Sequence, residues 1–222
     1  QILPRVLLFI PKKGSINLHP SLLPRFRGAA PINWALIRGE IETGVTTFYL
    51  KPKVDAGDII FQRRTPIGPN ETAGELGNRL KLLGADLVLE TVNSIGRGEV
   101  VPVVQRESEV TSAPKLKKEH GLIDWGLDAN SIQNLIRGTN PFPGAFTEWR
   151  GGFLKIHLSS IAEGDGMPGE VVVSDSKNGI VVASGDGALA LLEVQPAGKR
   201  RISGAEFCRG YKIKVGERFG RD

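Results

Sequence analysis

The sequence offers almost no thiol and no extended hydrophobic stretch. Cys208, the single cysteine among 222 residues, has no partner in its own chain for a disulfide, and no Cys/His grouping has metal-ligand spacing. These absences argue against a disulfide-stapled secreted scaffold and favour a cytoplasmic, metal-free protein. The longest apolar run near the start, Val6 to Ile10, is too short for a membrane span or a signal-peptide core, so no membrane partner is expected. Low-complexity tracts and internal repeats are missing too.

What is present is a globular composition, 40% apolar and 24% charged, long enough for one large or two small domains. The net charge of +5 leans only weakly toward a polyanionic partner. Its distribution is more informative, because Lys199 to Arg221 holds eight basic residues against two acidic ones. Taken alone, such a run reads as a solvated face.

The densest chemistry lies in Ser15 to Pro31, SINLHPSLLPRFRGAAP. With Ile16 to His19 extended, Asn17 and His19 share one face while Ile16 and Leu18 point to the core, and Pro20 ends the strand. A short helix from Ile32 to Arg38 follows, entered through Pro31 and closed by Gly39. Gly44 to Leu50 and Asp58 to Thr65 read as strands, separated by a loop that carries Asp55 and Asp58 around Gly57. Thr72 and Glu75 form a T-x-x-E capping box ahead of Leu76, Leu80, Leu83, Leu87 and Val88, which predicts a long helix ending near Gly96 to Gly98. These elements make an α/β layer over residues 1–98.

Residues 99–118 loosen into a polar segment read as a linker. Beyond it, a helix over Asn130 to Arg137 precedes five short strand-like runs: Ala145 to Trp149, Leu154 to Ile161, Gly169 to Val173, Gly179 to Ala183 and Ala188 to Val194. Residues 119–222 are therefore expected to form a small all-β, OB-like barrel.

An isolated N-x-H is more often a turn cap and a satisfied buried histidine than a site. Asp55 shifts that balance if it approaches His19, since a carboxylate orients an imidazole and favours its charged form. An amide on the same face can donate to an oxygen that becomes negative in a tetrahedral transition state. Asparagine, histidine and aspartate together suit acyl or formyl transfer to an external nucleophile. Ser21 lacks the context of a nucleophile elbow and reads as a turn or ligand-binding hydroxyl.

INLHPSLLPRFRGAAPINWAL, followed by GVTTFYL and VDAGDII, closely resembles the formyltransferases that use 10-formyltetrahydrofolate, in particular those acting on methionyl-tRNA. The resemblance extends through APK at Ala113 to Lys115, IDW at Ile123 to Trp125, IRGTNPFPGA at Ile136 to Ala145 and LKI at Leu154 to Ile156, so it covers essentially the whole chain. It implies Asn17, His19 and Asp55 as catalytic residues. Ser21, Leu22, Leu23 and Pro24, with Val54, Ala56, Gly57 and Asp58, would border 10-formyltetrahydrofolate. It also implies that the acceptor is the α-amine of methionine on initiator tRNA. In that light Lys199, Arg200, Arg201, Lys212, Lys214 and Arg218 become tRNA-contact candidates, with Lys115, Lys117 and Lys118 weaker ones.

The family's domain ordinarily carries a Rossmann-like half ahead of an I-L-P segment, which here is Ile2 to Pro4. A partial catalytic domain is therefore expected. Two alternatives stand beside the tRNA reading: an amino-sugar nucleotide as acceptor, or a non-catalytic RNA-binding fragment. A monomer is expected.

Overall fold

In the computed structural model, which describes residues 4–177 and 179–220, β2 (Glu42–Tyr49) is the centre of the first sheet. It pairs antiparallel with β1 (Ile16–His19) on one side and β3 (Ile59–Pro66) on the other. Thr43 to Phe48 of β2 are all buried, so both of its faces are covered. One cover is the long helix α3 (Ala73–Arg97), and the other is the Ser21–Pro24 turn. Thr47 and Thr91 join β2 to α3 by a buried hydroxyl pair at 2.8 Å, and Thr91 also donates to the Leu87 carbonyl.

α3 starts and stops where its sequence dictates. Thr72 and Glu75 close a reciprocal capping box, and Gly98 ends the helix in the left-handed conformation. Leu76, Leu80 and Leu87 fill the core beneath it. A Cβ on Gly84 would come within 2.5 Å of Leu18, so a glycine in mid-helix is what lets β1 approach α3. Two short helices complete the described start of this region, α1 (Arg5–Leu8) and α2 (Pro31–Ile37). The expected mixed α/β character is present. The three strands are antiparallel, however, so no parallel Rossmann core lies among the described residues, and Ile2 and Leu3 of the I-L-P segment lie outside them.

The chain divides into two units. One runs to Ala35 and then from Glu40 to Leu116; the other comprises Leu36–Gly39 and the chain from Lys117. Of the polar segment read as a linker, residues 99–116 thus belong to the first unit and Lys117 and Lys118 to the second. Val103 bridges Ile59, Ser112 bridges Arg27, and Gln105 is buried.

The second unit is built on α4 (Ala129–Thr139), β4 (Ala145–Trp149), β5 (Gly152–Ala162), β6 (Val171–Asp175), β7 (Gly179–Ala183), β8 (Ala188–Pro196), β9 (Ile202–Ser203) and α5 (Gly204–Tyr211). The strands make one antiparallel sheet in the order β4-β5-β8-β7-β6, with β9 added to β8. All five expected strands occur. Closure into a barrel does not: β4 and β6 stand at opposite ends, and no ladder joins them among the described residues. Helices cover the apolar face instead, α4 packing on β5 and α5 on β7 and β8, around Ile132, Ile136, Leu154, Ile156, Leu189 and Phe207. α5 was not expected from the sequence, although Ser203 and Glu206 form a second capping box.

Candidate active site

His19 sits at the end of β1, 4% exposed, where the chain leaves the sheet edge. Its Nε2 lies 2.8 Å from the carbonyl oxygen of Phe26. A carbonyl only accepts, so Nε2 carries the proton and Nδ1 keeps the lone pair. Phe26 can present that carbonyl because its own backbone is in the left-handed region, φ 61°. Nδ1 faces Asp55 Oδ2 at 3.8 Å, close for a charge but too long for a hydrogen bond.

These distances alter one sequence expectation. The tautomer of His19 is set by Phe26, not by Asp55. Burial lowers the histidine pKa and outweighs the upward influence of the Phe26 bond and the Asp55 charge, so the ring is held neutral. Asn17, two residues earlier on the same strand, is exposed, consistent with a side chain free to meet a ligand.

Asp55 is fixed by its backbone and by a network around it. It has φ 50°, and its Oδ2 accepts from the Gly28 N–H at 2.9 Å. Gln105 donates to the carbonyls of Asp55 (2.8 Å) and Gly57 (2.7 Å), while its own oxygen accepts from Nε and Nη2 of Arg27 at 3.0 and 2.8 Å. Arg27, 8% exposed, reaches on to Glu107, whose pKa is lowered by Lys53 first and Arg27 second. Gly57 lies so close to β2 that a Cβ there would stand 1.5 Å from the Tyr49 carbonyl oxygen. Of this clamp, the sequence signalled Arg27, Gly28 and Gly57. It gave no sign of Gln105, which lies fifty positions from Asp55 in a stretch without periodicity.

The Ser21–Pro24 turn is tied to the sheet. Thr46 donates to the Ser21 carbonyl at 2.6 Å and accepts from the Leu23 N–H, and Gln62 donates to the Leu23 carbonyl at 2.8 Å. Ser21 Oγ is spent on the Arg25 carbonyl, and the Ser21 and Leu23 side chains are buried. Only Leu22 and Pro24 keep partial exposure. On the other side of Asp55, Val54 is exposed, Ala56 and Asp58 are half-buried, Gly57 is buried, and Asp58 accepts from Lys51 at 2.7 Å.

In the second unit Lys199, Arg200, Arg201, Lys212, Lys214 and Arg218 are all exposed. They are not equally available. Arg200 pairs with Glu206 and Arg201 with Glu193, and Arg218 donates to the Pro168 carbonyl. Lys199, Lys212 and Lys214 make no side-chain ion pair among the described residues. Among the described residues, no group of histidine, cysteine and acidic side chains could hold a metal ion.

A buried neutral imidazole thus lies beside a fixed carboxylate, with an exposed amide on the same strand. The chain belongs to the formyl transferase family, matching that family over residues 1–92 and its C-terminal domain over residues 115–212. Within it, a methionyl-tRNA formyltransferase of Citrifermentans bemidjiense is 47% identical over 221 residues, 100% of this chain and 69% of that relative. A second, from Trichlorobacter lovleyi, is 46% identical over 97% of this chain and 68% of its own length. Among solved structures, HypX from Aquifex aeolicus in complex with tetrahydrofolic acid shares the fold, with TM-score 0.69 and 24% identity over 91% of this chain and 36% of that one.

Proposed function

We propose that the protein transfers the formyl group of 10-formyltetrahydrofolate to the α-amine of methionine carried on initiator tRNA. The observation that carries this reading is the 47% identity to a methionyl-tRNA formyltransferase over 221 residues, a span that covers both units. The amine attacks the formyl carbon, and the carbonyl oxygen gathers negative charge. Asn17 donates to that oxygen. As the amine becomes an ammonium group, its proton passes to the lone pair on Nδ1 of His19. A neutral histidine is needed for that step, and burial supplies it. The imidazolium so formed lies beside the Asp55 carboxylate, 3.8 Å away, which stabilises it until the proton leaves with the departing folate nitrogen.

Leu22 and Pro24 on one side and Val54 to Asp58 on the other would border the folate. The antiparallel sheet of the second unit, read as an opened relative of an OB barrel, would carry the tRNA, with Lys199, Lys212 and Lys214 as phosphate contacts and Arg200, Arg201 and Arg218 as weaker ones. In this reading the protein acts as a cytoplasmic monomer without a metal. Incubation with labelled 10-formyltetrahydrofolate and a mixture of methionyl-tRNA and an amino-sugar nucleotide tests the acceptor. Label on the methionyl amine is expected, and label on the sugar would overturn the assignment.

A further inference from the structure

A groove of about 560 Å³ opens on the second unit, remote in sequence from Asn17, His19 and Asp55 and ending at Gly198, beside the start of the basic run at 199–218. Its floor follows from strand register. Phe146 on β4 pairs with Lys155 on β5, and Lys155 pairs with Gln195 on β8, so the three side chains form a row across one face of the sheet. Phe153, two residues before Lys155, lies on the same face, with its ring edge-on to Phe146 at 5.4 Å. Phe142 forms part of the wall and is 68% exposed.

The charge on this groove is of one sign. Lys118 Nζ stands 5.9 Å from the Phe146 ring and 5.6 Å from that of Phe153, and Lys155 lines the groove as well. No acidic side chain lines it, and neither lysine has an ion-pair partner among the described residues. The one side-chain amide is held in place. Gln195 accepts from Nε2 of His157 at 3.0 Å and donates to the Lys199 carbonyl at 2.8 Å, which leaves its second amide hydrogen for a ligand.

Flat aromatic surface, two free ammonium groups and one fixed amide match an unpaired nucleotide: a base to stack, phosphates to neutralise and a base edge to read. We propose that this groove binds an unpaired nucleotide of the RNA acceptor, stacking its base on Phe142 and Phe153 with its flanking phosphates at Lys118 and Lys155. The proposal rests on the RNA acceptor put forward above. Phe142 and Lys155 fall within the IRGTNPFPGA and LKI segments, whose spacing alone does not announce this use; the register of β5 and β8 brings Lys155 to Gln195.

The test is fluorescence anisotropy of the whole chain with a labelled oligoadenylate hexamer and with an abasic hexamer of equal backbone charge. The base-bearing strand is expected to bind at least about tenfold more tightly. F142A should abolish that difference and leave abasic binding unchanged, with circular dichroism confirming the fold of this exposed substitution. K118A/K155A should weaken both strands and flatten their salt dependence. Equal affinity for the two strands, or oligoadenylate binding unchanged in both F142A and F153A, would overturn the proposal. Formyl transfer to methionyl-tRNA on the same preparations separates the two readings. Its absence alongside base-dependent binding refutes the functional assignment and leaves the groove standing, whereas transfer with base-indifferent binding refutes the groove alone.

Discussion

At Nδ1 of His19 a lone pair meets a carboxylate with no proton between them, and the chemistry proposed for the first unit depends on that arrangement. His19→Gln removes the acceptor and should lower kcat by about 10²- to 10⁴-fold. Asn17→Ala should cost about 10²- to 10³-fold in kcat if its amide meets the oxyanion. In both variants KM for tRNA should stay near wild type, and a rate within twofold of wild type would remove that residue from the mechanism. Gln105→Glu is a sharper probe of position. It keeps an oxygen for Arg27 but loses the N–H donors to the Asp55 and Gly57 carbonyls. A fall in kcat of about tenfold with unchanged circular dichroism is expected, each lost hydrogen bond being worth about 1 kcal/mol. The sequence displayed Asn17, His19 and Asp55 through their type and spacing. It could not display the tautomer, because that is set by a backbone carbonyl which a left-handed turn at Phe26 brings round to the ring.

Among the elements, α3 and α5 carry the same capping signal but differ in the pattern that follows it. Thr72 and Glu75 precede a long leucine pattern, so helix and cap reinforced each other. Ser203 and Glu206 cap a helix of only eight residues within a run of basic side chains, too short for an apolar period to stand out. Thr72→Ala and Ser203→Ala should each cost about 1 kcal/mol in urea unfolding, read from the unit that contains the helix. The loop before β3 has less tolerance. Gly57→Ala would drive a methyl group into the Tyr49 carbonyl, and a loss on the order of 3 kcal/mol is expected from so rigid a clash. The strands of the second unit were legible because each is short and bounded by turn residues. Their failure to close was not legible, since it depends on α4 and α5 covering the face on which a barrel would fold.

Over the whole molecule, two buried histidines, one in each unit, link stability to pH. His19 and His157 both have pKa values lowered chiefly by desolvation, while the unfolded chain titrates near the ordinary 6.5. Between the folded and unfolded values the unfolded chain binds more protons, so this contribution is complete above about pH 6.5 and is lost as pH falls below it. Thermal unfolding of the protein should show that loss. His19→Gln and His157→Gln should each reduce the slope below pH 6.5, whatever they do to the absolute midpoint. No helix among the described residues is long and apolar enough to cross a membrane.

The most direct test of the central claim is the pH profile of single-turnover formyl transfer to methionyl-tRNA by the wild-type protein and by Asp55→Asn. The wild-type rate should fall on the acid side of pH 6.5 as His19 takes up a proton. The Asp55 charge raises the His19 pKa, so its removal should shift that acid limb to lower pH while depressing the plateau. An acid limb at the same pH in both proteins would contradict the assignment of His19 and Asp55 as the proton-transferring pair.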